Sequence, residues 1–292
     1  MLYLGTHLGK ETGKSGFYNI VCTARNVNIN SVQIFTKPPI KVSDIKTDSE
    51  DLKLTKEILK ETKIFLVIHG QYIINFCKNP QKQMWSIKSV VDDMNLLNNL
   101  SNKLLPTGVI LHMGKNTTKL SKLECINNFK ESLELILSKV SVDNNINIIL
   151  ETSVRSSNDI FYKIEDLAEL YNKLKQETRN KVKFCIDSCH IFASGYNIAD
   201  TTEMKNYFEK FDKLIGLSNI CVIHLNDSKE ICNSGKDRHQ EISKGHIFNK
   251  DNLENLRYLV KDISMKYNIP LITETASEDL IKELEFIKNS IK

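Results

Sequence analysis

Ile64-Phe65-Leu66-Val67-Ile68-His69 is a run of five apolar residues closed by a histidine. It is apolar at every position rather than at alternate ones. A parallel strand covered on both faces requires that pattern. Near-continuous runs of the same form recur at Val109–His112, Ile146–Glu151, Val182–Asp187, Cys221–Leu225 and Pro270–Glu274, and in shorter form at Leu2–Gly5 and Val32–Thr36. The intervening stretches carry helix formers with apolar positions three and four apart. They predict helices at Ser49–Glu61, Ile87–Leu104, Lys122–Lys139, Ile164–Lys175, Thr202–Leu214, Asn252–Tyr267 and Glu278–Lys292. Eight strands alternating with helices over 292 residues point to an α/β chain folded as a single (β/α)8 TIM barrel domain, residues 1–292. A doubly wound open sheet is the rival. No Gly-x-Gly-x-x-Gly or Walker A sequence follows any strand, so it has little support.

In a barrel of this type the active site lies at the C-terminal strand ends. His69, His112, Glu151, Asp187, His224 and Glu274 all fall there, on six different strands. His190 follows Asp187 by three residues, and Asp237-Arg238-His239 adds a second acid–histidine pair. Each residue taken alone has a plain structural explanation as a hydrogen-bonded histidine or a helix cap. A cap has no need to be histidine five times, nor to recur at nearly every strand mouth. Polar groups at the mouths of buried strands cost desolvation energy unless something partners them. A shared cluster of metal ions would do so. Histidine and carboxylate donors without thiolate suit zinc or manganese. Nine donors exceed the four that one tetrahedral ion takes, so two or three ions with a bridging carboxylate are expected. Sites of that kind favour phosphoester hydrolysis.

Composition agrees with a well-packed enzyme. Hydrophobic residues make up 41%, with only 11 Gly and 5 Pro, which leaves little room for long linkers. Forty basic residues nearly balance 36 acidic ones, a net charge of +4 that permits a polyanionic partner without demanding one. The seven cysteines are odd in number and irregularly spaced, and no signal peptide precedes them, so a reducing intracellular compartment is expected. Cys189 has no Cys-x-x-Cys partner to suggest a zinc thiolate. No apolar stretch approaches the roughly 20 residues of a membrane helix.

The segments Asp187-Ser-Cys-His190-Ile-Phe-Ala-Ser-Gly-Tyr196, His224-Leu-Asn-Asp-Ser-Lys229, Asp237-Arg-His239 and Lys244-Gly245 resemble the signatures of the endonuclease IV family. These are apurinic/apyrimidinic (AP) endonucleases of base-excision repair. Leu2-Tyr-Leu-Gly5-Thr-His7, Phe35-Thr-Lys37 and His69-Gly-Gln-Tyr72-Ile-Ile-Asn75 fit the same pattern, in order, and the similarity runs to Glu274. The resemblance implies a (β/α)8 barrel with three zinc ions. His69 and His112 would hold one, with Glu151 bridging to a second that Asp187, His224 and Glu274 complete. His190, Asp237 and His239 would hold the third. It further implies hydrolysis of the phosphodiester 5′ to an abasic site in double-stranded DNA, leaving a 3′-hydroxyl, and removal of blocked 3′ ends. Glu151 or Glu274 would assist as base in the attack of water on phosphorus, with no covalent intermediate.

His7 is expected to stand behind the ligands and orient one of them or a phosphate. Tyr72 and Ile73 match the family's wedge that fills the gap left by a flipped nucleotide. Lys37 and Arg238 are expected at phosphates, with Lys229 and Lys236 as weaker candidates. His246 is structural or DNA-facing. The sequence departs from the family where Pro38-Pro39-Ile40 replaces a wedge arginine, where Met113 replaces a usual proline, and where Glu151-Thr-Ser replaces Glu-Asn-Thr. None of these removes a ligand. The alternative function is a sugar isomerase or epimerase on the same barrel, with one or two divalent metals and no need for His190, Asp237 and His239. A non-catalytic DNA-damage binder would have lost ligands, and none of the nine is missing. A monomer without obligate protein partner or membrane contact is expected. Its place would be the cytoplasm, or a viral factory or virion if the source is a large DNA virus.

Overall fold

The computed structural model describes residues 1–9, 16–100, 105–143, 145–155, 158–251, 253–275 and 280–292. Among them ten β-strands form: β1 (Leu4–His7), β2 (Ser31–Ile34), β3 (Phe65–His69), β4 (Thr107–His112), β5 (Ile146–Glu151), β6 (Val182–Asp187), β7 (Ile220–His224), β8 (Asp227–Ser228), β9 (His239–Gln240) and β10 (Leu271–Thr273). Eight of them close a barrel in the order β1-β10-β7-β6-β5-β4-β3-β2, while β8 and β9 make a separate antiparallel ladder. The chain thus has the expected (β/α)8 architecture. By its internal packing it divides into two compact units, residues 7–151 with 169–183, and residues 1–6 with 152–168 and 184–292.

The first unit holds β2 to β5, paired in parallel in sequence order. The strand side chains are almost wholly buried, as continuous apolar runs demand. Register places His112 beside Glu151 on neighbouring strands. The helix Ser49–Glu61 ends where the sequence predicts, and Asp48 caps it by accepting from the Glu50 and Asp51 amides. Lys122–Leu137 begins with a reciprocal capping box between Ser121 and Glu124. The expected helix Ile87–Leu104 begins earlier, at Met84, and runs to Leu100; residues 101–104 lie outside the described residues. The helix Phe17–Asn26 was not expected. Its start is stabilised from another helix, because Asp51 accepts from the Phe17 and Tyr18 amides at 2.8 and 3.0 Å. A cap supplied from so far along the chain leaves no local signature.

The second unit holds β6, β7, β10 and most of β1. Asp187 pairs with His224, and His224 with Ile272, so the end of β7 lies between the ends of β6 and β10. The helix Thr201–Leu214 is capped by Asp200. The single helix expected over Asn252–Tyr267 begins as α at Glu254–Arg257 and widens to a π-helix over Tyr258–Met265, keeping Leu259, Val260 and Ile263 buried. Its first expected residue, Asn252, lies outside the described residues, as do Glu278 and Asp279 ahead of the last helix, Leu280–Ser290.

Candidate metal centre

In the first unit His69, at the end of β3, is buried, with Nδ1 2.7 Å from the Gly70 carbonyl oxygen. A carbonyl only accepts, so Nδ1 carries the proton and Nε2 presents its lone pair. That Nε2 stands 3.3 Å from Glu151 Oε2, and His112 Nε2 stands 3.5 Å from the same oxygen. Charge-assisted hydrogen bonds run shorter, at about 2.7–2.9 Å. Donor atoms about 2.0–2.1 Å from a tetrahedral ion stand about 3.3 Å from one another. Both histidine–carboxylate distances fit donor atoms around one ion better than hydrogen-bonded partners.

In the second unit Asp187 ends β6 and also caps the short helix Ser188–Ala193. Capping uses one carboxylate oxygen and leaves the other for a cation. Oδ1 accepts from the His190 amide at 2.8 Å, and Oδ2 faces His224 Nδ1 and His239 Nε2, each at 3.6 Å. His224 Nδ1 is also 3.2 Å from Glu274 Oε2. The same short helix aims His190. Its Nδ1 lies 2.8 Å from the Thr152 carbonyl, which leaves Nε2 toward Asp237 Oδ2 at 3.1 Å. The other oxygen of Asp237 is 3.0 Å from His239 Nε2. His239 is brought to this place by the β8–β9 ladder, where it pairs with Ser228. Asp187, His190 and His239 offer donor atoms close enough to share one ion, as do His69, His112 and Glu151 in the other unit.

Charge in the second-unit cluster is set by mutual contact. Burial alone would raise the Asp187 carboxyl, but His190, His239 and His224 outweigh it and hold the group below its ordinary value. Asp237, whose side chain is 47% exposed, is held far below the carboxylate range, because hydrogen bonds from His190 and His239 overcome its partial desolvation. Burial would depress His239, yet Asp187, Asp237 and Glu274 push it up. Both carboxylates are thus ionised acceptors at neutral pH, the state a divalent cation requires.

His7 Nδ1 lies 3.0 Å from Gln33 Nε2, and its ring packs on Phe35, which in turn packs on His69. Tyr72 is 50% exposed and Ile73 38%. Tyr72 stands edge-on to both His69 and His112, with ring centroids 5.2 Å apart in each case. Arg238 is exposed and donates to the Asp237 carbonyl at 2.6 Å. His246 is exposed, and its amide bonds the Ser228 carbonyl. Cys189 Sγ approaches Asp237 Oδ1 at 3.9 Å, but burial and the neighbouring Asp187 push the thiol well up, so it holds its proton.

Lys37 is a correction. Its side chain is 1% exposed, and Nζ lies 2.9 Å from Asp93 Oδ1 and donates to the Ser89 carbonyl at 2.9 Å. An ammonium committed inward in this way has none of its charge to offer a phosphate. Sequence reading also missed Gln71, which ties the Pro38 and Lys41 carbonyls to the loop carrying Tyr72. It missed Asn226 and Asp227, which lie inside the quoted His224–Lys229 motif but are neutral or backbone-directed groups with no ligand spacing of their own. Among the described residues no helix is long and apolar enough to cross a membrane.

The family model for xylose isomerase-like TIM barrels matches residues 23–290. The putative endonuclease 4 of Acanthamoeba polyphaga mimivirus is 36% identical over 276 residues, covering 92% of this chain and 85% of that protein. The probable endonuclease 4 of Clostridium botulinum (strain Alaska E43 / Type E3) is 30% identical over 298 residues, covering 100% of both. In fold, the crystal structure of endonuclease IV from Thermus thermophilus superposes with a TM-score of 0.83 at 21% identity, over 99% of this chain and 98% of that one.

Proposed function

The chain belongs to the endonuclease IV family of AP endonucleases, and from that premise we propose that it is a zinc-dependent hydrolase of base-excision repair. It cleaves the phosphodiester 5′ to an abasic site in duplex DNA and leaves a 3′-hydroxyl. The same chemistry clears blocked 3′ ends. The observation that carries the reading is the His190–Asp237–His239 group beside Asp187, which a one- or two-metal sugar isomerase would not need.

Three zinc ions are proposed, with His69, His112, Glu151, Asp187, His190, His224, Asp237, His239 and Glu274 as the ligand set and residues 1–292 acting as one domain. Bound zinc would supply an activated water and neutralise charge on the phosphate. The protein's own part is division of labour among carboxylates. Glu151, at 1% side-chain exposure, stays a ligand. Glu274, at 13%, is open enough to take a proton from water and is the proposed base. His69 and His190 keep fixed tautomers through the Gly70 and Thr152 carbonyls. His7 and Phe35 support the His69 ring from behind. Tyr72 and Ile73, exposed beside the His69 and His112 rings, fill the gap in the duplex, and Arg238 meets a phosphate. The protein works as a monomer wherever its genome is copied.

The test is cleavage of a duplex oligonucleotide with one abasic analogue beside an undamaged duplex. A single cut 5′ to the lesion, lost on stripping zinc and in Glu274→Gln, is expected. No cut by zinc-loaded protein would overturn the assignment.

A further inference from the structure

We infer that Asn226 is a positioning residue that sets the ligand-facing oxygens of Asp187 and Glu274; this rests on the reading of those residues as metal ligands. Asn226 is wholly buried. Its side-chain nitrogen donates to Asp187 Oδ2 at 2.7 Å and to Glu274 Oε2 at 3.1 Å. These are the same two oxygens that face His224 Nδ1 at 3.6 and 3.2 Å. The other Asp187 oxygen is already taken by the His190 amide, so the contact fixes the oxygen left for a cation and not the capping one.

A primary amide has two hydrogens, and here one goes to each carboxylate. The direction of the amide is not free. The Glu274 backbone amide donates to Asn226 Oδ1 at 2.9 Å, which forces the nitrogen toward the carboxylates. The backbone of Asn226 is held as well. Ser188 Oγ donates to its carbonyl at 2.6 Å and accepts from its amide at 2.9 Å.

Every side-chain bond described for Asn226 goes to a residue of the ligand set. A buried amide needs partners wherever it lies, but a purely structural one has no reason to choose two ligand carboxylates. Two anions converging on one imidazole repel each other. A neutral group donating to both holds them in place without supplying a charge that would compete with the cation. Outer groups of this kind commonly change metal affinity about 10–100-fold.

The test uses the full chain, stripped and reloaded with zinc, as wild type, Asn226→Leu and Ser188→Ala. Asn226→Leu keeps bulk and removes the donors. Ser188→Ala removes the backbone tether of Asn226 together with the 3.1 Å bond from Ser188 Oγ to the His224 carbonyl, leaves the side chain of Asn226 intact, and is the milder variant. Zinc affinity is read by competition with a chromogenic chelator, and thermal midpoints are read for stripped and reloaded forms. Expected are a roughly 10–100-fold weaker class of zinc in Asn226→Leu, a smaller change in the same direction in Ser188→Ala, and a smaller rise in midpoint on reloading in both. Wild-type affinity and a wild-type rise on reloading, even with a lower midpoint for the stripped form, would show a structural role only and overturn the inference. Wild type that retains no zinc would overturn the metal reading itself.

Discussion

Replacing Lys37 by methionine separates a structural lysine from a DNA-binding one. Lys37 and Asp93 are side-chain buried to 1% and 0% exposure, with Nζ 2.9 Å from Oδ1. Thr36 donates to the same oxygen, and the Ser89 carbonyl takes a second bond from the ammonium. Methionine keeps most of the stem's packing but orphans the carboxylate. Breaking one side of a buried pair costs roughly 3–5 kcal/mol. At about 2 °C per kcal/mol for a chain of this size, the thermal midpoint should fall by roughly 6–10 °C. Burial already pushes the Asp93 carboxyl up against the pull of Lys37 and Thr36, and without Lys37 it must rise further. A carboxyl whose folded value is raised favours folding below its unfolded value, about 3.9, and loses that advantage as pH rises through the folded value. The deficit of Lys37→Met against wild type should therefore be smallest near pH 4 and widen toward neutrality. Asp93→Leu added to Lys37→Met should recover most of the loss, because the orphan is gone. Binding to abasic duplex, measured well below the midpoint, should keep its salt dependence. A Lys37→Met protein of wild-type stability whose salt slope drops by about one would refute this reasoning and return Lys37 to the phosphates.

Two further outcomes follow from the geometry. A Cβ at Gly245 would meet Asp227 Oδ1 and the Ser228 carbonyl oxygen, each at 2.4 Å. Gly245→Ala should thus cost roughly 1–3 kcal/mol as overpacking, and should lower zinc content per chain because the methyl pushes on Ser228, the ladder partner of His239; zinc content equal to wild type would mean that the loop absorbs the methyl. Tyr72→Ala should weaken binding to abasic duplex by roughly 10–100-fold, on a stacking worth of about 1–3 kcal/mol, with little change in binding to intact duplex. Fluorescence anisotropy on both duplexes checks this, and equal losses on the two would remove the wedge role.

The fold was legible because its strands have no water-facing side to interrupt them. Phe65–His69, Ile146–Glu151 and Val182–Asp187 begin and end where the apolar runs do, since each run stops at the residue that faces the site. Histidine and carboxylate in that terminal place were legible for the same reason. What escaped was everything whose cause lies elsewhere in the chain. Lys37 reads as a surface cation until Asp93, far along the chain, is seen to be its partner. The ladder Asp227–Ser228 with His239–Gln240 is two residues wide, too short for any periodicity to register. Its stability comes instead from Asp227, whose carboxylate accepts from the Ser228, Ser243, Gly245, Ile247 and Phe248 amides. One acid thereby replaces the backbone pairing that a longer hairpin would have, and burial raises that carboxyl even against five donors. Asp227 and Asn226 stand side by side and divide the task. Asn226 orients acids that are in place at the strand ends, and Asp227 secures the loop that brings His239 in from outside the barrel strands. The proposed ligand set is drawn from both strand ends and a loop and needs both kinds of support, and in this chain adjacent residues of one short motif provide them.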